Sequence, residues 1–128
     1  MFTADQLVAH AIGDYVLQSD WMATEKTKRS FPALVHCLFY TLPFLFLTQN
    51  PVTLAVIAGT HFVIDRWHVA RYVAWAKNWP WPGSLPWHEC RETGFSPQMK
   101  PWRAGWLVII IDNIMHVVTN GLALHYIG

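Results

Sequence analysis

The chain has 128 residues, 53% of them hydrophobic and 13% charged, which gives it room for one domain and too few charges for a disordered protein. We therefore expect a single helical domain over residues 1–128, and a multidomain enzyme is excluded. The formal net charge is only +1, which excludes an overall electrostatic field for recruiting nucleic acid, and no specific nucleic-acid recognition is evident.

Hydrophobic periodicity predicts four helices. The first covers about 3–21 and the second 31–47, where Pro43 should kink an almost wholly apolar segment. A short turn leads to the third helix at 52–78, and the fourth covers about 104–126. The connections on either side of the second helix are short, as is typical of antiparallel neighbours.

Residues 79–102 separate the third predicted helix from the fourth. This segment has five Pro, two Gly and four Trp, a composition that stops regular structure and is too aromatic for a solvated linker, so we expect an ordered, packed loop. The expected fold is therefore all-α: an up-and-down four-helix bundle with a long Trp/Pro-rich loop between helices three and four.

Three segments place an imidazole and a carboxylate four residues apart on an apolar helix, so that each pair shares one helix face. The pairs are His10 with Asp14, His61 with Asp65, and Asp112 with His116. A carboxylate without a partner in such surroundings is costly to desolvate, so its charge has to be compensated. Counted along antiparallel helices at about 1.5 Å per residue, the three pairs and His36 fall in one shared layer.

Three Asp and up to four His in one layer would form a mixed nitrogen and oxygen site, which suits Zn²⁺, Mn²⁺ or Fe. We expect Zn²⁺ as the cofactor, with one or two ions and a dinuclear centre preferred. The three carboxylates, Asp14, Asp65 and Asp112, are also the candidate catalytic groups. Each pair taken alone is more typical of a His that donates to its own helical Asp, and three such pairs would make the layer purely structural.

Further polar and basic side chains extend this layer. Gln18 and Asn120 lie one helical turn beyond the pairs and suit contacts to the ligands or to a substrate. Basic residues near the mouth of the site could surround an anionic substrate, although simple solvation explains each of them too. These residues are Lys26, Arg66, Arg91, Lys100 and Arg103.

Several of these residues lie in strings that resemble a known family. HAIGDYVLQSDWMATEK at 10–26, then His36, THFVID at 60–65 and DNIMH at 112–116 resemble the Domain of Unknown Function 3307 family over most of the chain. The resemblance implies a small bacterial or phage protein, usually membrane-embedded, without an assigned activity. More distantly, the His-x-x-x-Asp helices are similar to the helical zinc phospholipase C and P1 nuclease class, which cleaves phosphoesters with clustered zinc ions.

The basic residues also suggest a topology. All nine lie within 26–29 and 66–103, which share one side of an up-and-down bundle. This positive-inside pattern predicts a membrane-associated protein, in the inner membrane with both termini outside. However, the apolar run 31–47 has 17 residues, against about 20 needed to span a bilayer, so a soluble cytoplasmic bundle is the alternative.

Together these features predict a metal-dependent hydrolase with a His/Asp di-metal site, acting on a small-molecule substrate of the phosphoester class, because two cations stabilise both the attacking and the leaving oxygen. The alternative is a non-enzymatic membrane protein that binds or conducts a metal ion or a proton through the inward polar layer. The sequence predicts no oligomeric state.

Overall fold

The computed structural model describes residues 2–128, which contain seven α-helices and no β-strand. Met1 lies outside the described part of the chain. The predicted all-α class is confirmed, whereas the up-and-down arrangement of four helices stays a prediction. The helices differ from the predicted ones at two breaks, and both breaks have a local cause.

The first break divides the first predicted helix. Helix α1, Ala4–Ala11, continues into a π-helical turn, Ile12–Val16, in which the hydrogen bonds skip one residue more than in an α-helix. A new helix, α2, then spans Asp20–Glu25. Its start is fixed by Ser19, whose hydroxyl accepts a hydrogen bond from the Met22 N–H at 3.2 Å.

Helix α3, Ser30–Thr41, contains the next apolar segment and ends in a 3₁₀ turn, Leu42–Phe46. Pro43 is near the start of this turn. Because proline has no N–H and its ring clashes with the preceding turn, the α-helical pattern stops here, as the sequence predicted.

The second break divides the third predicted helix into α4, Pro51–Arg66, and α5, Val69–Asn78. Asn50 caps α4, because its side chain accepts a hydrogen bond from the Val52 N–H at 2.9 Å. Between the two helices His68 adopts the left-handed conformation, with φ 48° and ψ 53°, which ends one helix and redirects the chain into the next.

The Trp/Pro-rich segment contains a short helix, α6, Trp87–Cys90, and the ordered, packed loop expected there stays a prediction. Gly94 has a φ of +84°, and a Cβ there would lie 2.0 Å from the Arg71 carbonyl oxygen, so only glycine fits this close approach. The last helix, α7, spans Pro101–Tyr126.

The chain divides into two compact units, and each is described by itself. The first comprises residues 2–67 and 116–128, and the second comprises residues 68–115. Each has its own apolar cluster. The first cluster contains Ala9, Tyr40, Phe44, Ile57 and Ala123, and the second contains Ala70, Ala74, Phe95, Ala104 and Val108. The single domain expected over 1–128 stays a prediction.

Candidate metal centre

The first unit buries ionisable side chains beside its apolar cluster. His36, His61 and His116 are at most 1% exposed, and Asp14 and Asp65 are 6% and 4% exposed. Removing two carboxylates from water is costly unless each one gains charged or hydrogen-bonding partners. The contacts among these five side chains therefore indicate what the site can do.

Four separate segments supply the five side chains. His61 and Asp65 share one face of α4 because they are four residues apart. His36 comes from α3 and His116 from α7. Asp14 comes from the π-helical turn, a rare conformation that is frequent at functional sites.

The position of Asp14 depends on its neighbour in the chain, Gly13. A Cβ at Gly13 would lie 2.6 Å from the Tyr40 Cδ2 and 3.0 Å from the Tyr40 carbonyl oxygen. The Tyr40 ring is fully buried and a real Cβ does not come within 3.0 Å of another atom, so glycine lets the π-helical turn lie against α3. This close approach brings Asp14 within reach of His36 on α3.

One ligand atom from each of four residues forms a compact group, which we call the tetrad: Asp14, His36, His61 and Asp65. These four atoms lie within 4.8 Å of one another. The two imidazole Nε2 atoms are 2.8 Å apart. His36 Nε2 lies 3.1 Å from Asp14 Oδ1 and 3.2 Å from Asp65 Oδ2. His61 Nε2 lies 3.5 Å from the same Asp14 oxygen and 3.0 Å from the same Asp65 oxygen.

These separations correspond to five of the six edges of a tetrahedron. Ligand atoms placed about 2.0 Å from a tetrahedral zinc ion are about 3.3 Å from one another. The five edges in the tetrad run from 2.8 to 3.5 Å. Two imidazole nitrogens and two carboxylate oxygens are also donors that first-row divalent metals accept. The tetrad could therefore hold one metal ion.

Hydrogen bonds alone account poorly for the same contacts. An imidazole Nε2 carries at most one proton, so His36 and His61 together supply at most two for five close contacts. At most two of the five contacts can be linear hydrogen bonds, and the others hold electronegative atoms close together with no proton between them. A cation at the centre would turn these repulsive contacts into attractive ones.

Asp65 is the most heavily contacted member of the tetrad. Besides its contacts within the tetrad, its Oδ2 atom lies 2.8 Å from the Nζ atom of Lys26, and its Oδ1 atom lies 3.1 Å from His116 Nε2. Asp14 has a looser outer contact, because His10 Nδ1 lies 3.7 Å from its Oδ2 atom. His116 and His10 therefore border the tetrad through its carboxylates.

Tyr40 contacts the histidines from within the core and was missed by the sequence analysis. Its ring stacks on the His61 ring with a centroid distance of 3.6 Å and an interplanar angle of 18°. Its hydroxyl accepts a hydrogen bond from Asn120 Nδ2 at 2.6 Å and lies 2.8 Å from His10 Nδ1. The available signal was its spacing, since Tyr40 follows His36 by four residues on the same face of α3.

The structure brings six of the seven predicted metal ligands into one neighbourhood of the first unit. They are His10, Asp14, His36, His61, Asp65 and His116. The seventh, Asp112, is half-buried in the second unit. Metal ligation by Asp112 and a second metal ion both stay predictions.

The polar residues expected to contact a substrate have other partners in the first unit. Gln18 Nε2 donates to the Asp14 carbonyl oxygen at 3.1 Å, which satisfies the backbone of the π-helical turn. Arg66 donates to the Thr27 carbonyl oxygen at 2.9 Å. Arg91 and Arg103 are exposed in the second unit, where their predicted role is untested.

Comparison with known proteins identifies a family whose function is unknown. Residues 2–126 match the family model described as "Protein of unknown function (DUF3307)", which confirms the resemblance seen in the sequence. No significant match exists among curated proteins or among solved structures. The site geometry is therefore the basis for a functional proposal.

Proposed function

The chain belongs to the DUF3307 family, whose function is unknown, and we propose that this member is a membrane protein that binds one divalent transition-metal ion. The proposed ligands are the tetrad residues Asp14, His36, His61 and Asp65. The observation that carries the proposal is the set of five ligand-to-ligand distances of 2.8–3.5 Å among side chains that are almost completely buried.

Zinc is the ion that this donor set favours. Zn²⁺ readily accepts four nitrogen and oxygen ligands in a tetrahedron, whereas Mn²⁺ prefers more oxygen ligands in an octahedron. The charges also match, because two carboxylates and two neutral imidazoles around one divalent ion form a neutral group. A neutral group is cheaper to keep in an apolar interior than the separate charges.

The geometry favours metal binding over the predicted phosphoester hydrolysis. Catalytic zinc sites usually have three protein ligands and an open fourth position, whereas structural sites have four protein ligands. The tetrad offers four buried ligands, which would complete a tetrahedron around one ion. In addition, Lys26 and Arg66 are bonded to Asp65 and to the Thr27 carbonyl oxygen, and neither contact requires an anionic substrate.

The outer surface of the helices supports a location in the membrane. The chain places ionisable groups inside the first unit and large apolar side chains outside, as expected for a protein whose solvent is lipid. Exposed examples from the π-helical turn and from the α3 region are Val16, Phe31, Leu34, Leu38, Leu42 and Phe46. Helix α7 is apolar and long enough to cross a membrane, since a stretch of 18 residues within it has a mean hydropathy of 1.7, and 30–46 is a shorter apolar helical segment. We further propose that the membrane is the inner membrane and that both termini lie outside, because all nine basic residues lie within 26–29 and 66–103.

Elemental analysis of the purified protein tests this proposal. We expect about one zinc per chain in protein purified in detergent with Zn²⁺ and then passed over a desalting column, because four ligands hold the ion. The His36→Ala/His61→Ala double variant should lose the zinc. His125→Ala removes an exposed histidine outside the tetrad and should keep it. Absence of stoichiometric zinc in the wild type, or full retention in the double variant, would overturn the proposal.

A further inference from the structure

The ammonium group of Lys26 lies against the tetrad. Its Nζ atom is 2.8 Å from Asp65 Oδ2, the same oxygen that lies 3.2 Å from His36 Nε2 and 3.0 Å from His61 Nε2. The Lys26 side chain is 15% exposed and the Asp65 side chain 3%. The lysine therefore occupies a position beside an atom that the tetrad would offer to the metal.

The fold holds this lysine in place. Lys26 follows α2, and its N–H donates to the Met22 carbonyl oxygen at 3.0 Å. The next turn is tied to the end of α4, because Arg66 donates to the Thr27 carbonyl oxygen at 2.9 Å and to Ser30 Oγ at 3.3 Å. Since Arg66 directly follows Asp65, the same end of α4 fixes both partners of the ion pair.

The charges of the pair conflict with those of a bound metal. Without an ion, the ammonium group compensates one of the two negative charges of the tetrad. An ion about 2.0 Å from Asp65 Oδ2 would lie within about 5 Å of Lys26 Nζ if the lysine stayed in place. Like charges at that distance, with little water between them, repel strongly.

We propose that Lys26 is a built-in competitor for the metal site: its ammonium group binds Asp65 when the tetrad is empty and moves away when a divalent cation enters. This inference rests on the proposed function, and it assigns a regulator to the same site. The exchange lowers the affinity for the cation, because the lysine contact has to be broken first.

The first test measures zinc affinity in detergent by competition with a chromophoric chelator at constant pH and salt. Lys26→Met and Lys26→Gln should bind Zn²⁺ about tenfold more tightly than the wild type, since the competing charge is gone. Lys28→Met is the matched control, because Lys28 is 65% exposed and pairs with Glu25 at 3.4 Å. Its affinity should equal that of the wild type.

The outcomes separate the two proposals. Wild-type protein that binds zinc while both Lys26 variants bind it equally or more weakly overturns the inference and leaves the proposed function standing. Wild-type protein that binds no zinc overturns both.

A second test uses the wild-type chain and needs no substitution. Acetylation by a water-soluble amine reagent, read by peptide mass spectrometry, should be slow at Lys26 in the zinc-free protein. Zinc should increase the rate at Lys26 several-fold, because the ammonium group leaves Asp65, and should leave the rate at Lys28 unchanged. Equal protection of Lys26 with and without zinc, in protein shown to contain the ion, overturns the inference.

Discussion

The rings of His61 and Tyr40 illustrate how single residues orient the tetrad. Metal-binding histidines usually donate their second ring nitrogen to a carboxylate or carbonyl group, which fixes the ring. Here the Nδ1 atoms of His36 and His61 have no hydrogen-bond partner among the described residues. The His61 ring instead stacks on the rings of Tyr40 and His116, at centroid distances of 3.6 and 4.1 Å. Stacking therefore takes the orienting role.

A pair of substitutions at Tyr40 tests this role. Tyr40→Phe keeps the stacked ring and should leave zinc affinity within about threefold of the wild type, although loss of the hydroxyl should destabilise the fold by about 1–2 kcal/mol. Tyr40→Leu removes the ring, so His61 can rotate, and zinc affinity should fall about tenfold or more. Chelator competition measures the affinity, and thermal unfolding in detergent measures the stability.

Phe44→Leu is the control for a general packing defect. Phe44 is fully buried and its ring lies 5.4 Å from that of Tyr40, but it belongs to the apolar cluster rather than to the tetrad. The stability of this variant should decrease while its zinc affinity stays near that of the wild type. If Tyr40→Leu binds zinc as tightly as Phe44→Leu does, stacking does not orient the tetrad.

At the scale of helical elements, the π-helical turn connects the sequence to the site. Gly13→Ala would place a methyl group 2.6 Å from Cδ2 of the Tyr40 ring and 3.0–3.1 Å from the Tyr40 backbone. The turn must then move away from α3 and take Asp14 with it. We expect a loss of stability of about 1–3 kcal/mol, the usual cost of overpacking, and a loss of zinc binding.

Gly59→Ala is the matched control, since Gly59 lies within α4 and a Cβ there meets nothing within 4 Å. This variant should be stabilised by about 0.5–1 kcal/mol, because alanine is the better helix former, and should bind zinc normally. Thermal unfolding measures the stability of both variants, and elemental analysis measures their zinc content. Normal zinc content in Gly13→Ala would show that the close approach is dispensable.

The same elements show what periodicity along the chain can predict. Spacings of three and four residues located most of the helical segments, and Pro43 itself predicted the break that the structure shows there. The break at Ser19 could have been predicted, because serine is a common N-cap, and its hydroxyl accepts a hydrogen bond from the Met22 N–H. The break at His68 could not have been predicted, since a left-handed conformation is uncommon for any residue other than glycine.

Across the whole molecule, neighbours on one helix could be predicted from the sequence, whereas contacts between helices could not. The pair His61 and Asp65 was predictable because four residues make one helical turn. That Lys26 would meet Asp65, 39 residues away, was not predictable, because it depends on the turn that Arg66 holds. Because contacts between helices could not be predicted, seven candidate ligands could be placed in one layer, but the four that form the tetrad could not be identified among them.

The exposed apolar surface leads to a prediction about the intact protein in cells. Large apolar side chains such as Val16, Phe31 and Phe46, with exposures of 72%, 67% and 92%, would be costly to hydrate if water surrounded them. We expect the expressed protein to sediment with membranes, to resist extraction by alkaline carbonate and to require detergent for solubilisation. Recovery of folded protein from the soluble fraction without detergent would contradict a membrane location.

Reporter fusions test the orientation of the same protein. The basic residues lie within 26–29 and 66–103, so these segments should stay on the cytoplasmic side and the C-terminus should lie outside. In a bacterial host, a phosphatase that is active only outside the cytoplasm should therefore be active when fused after Gly128, and a green fluorescent protein fused there should stay dark. The reverse pattern would place the C-terminus inside and would show that the positive-inside assignment is wrong for this chain.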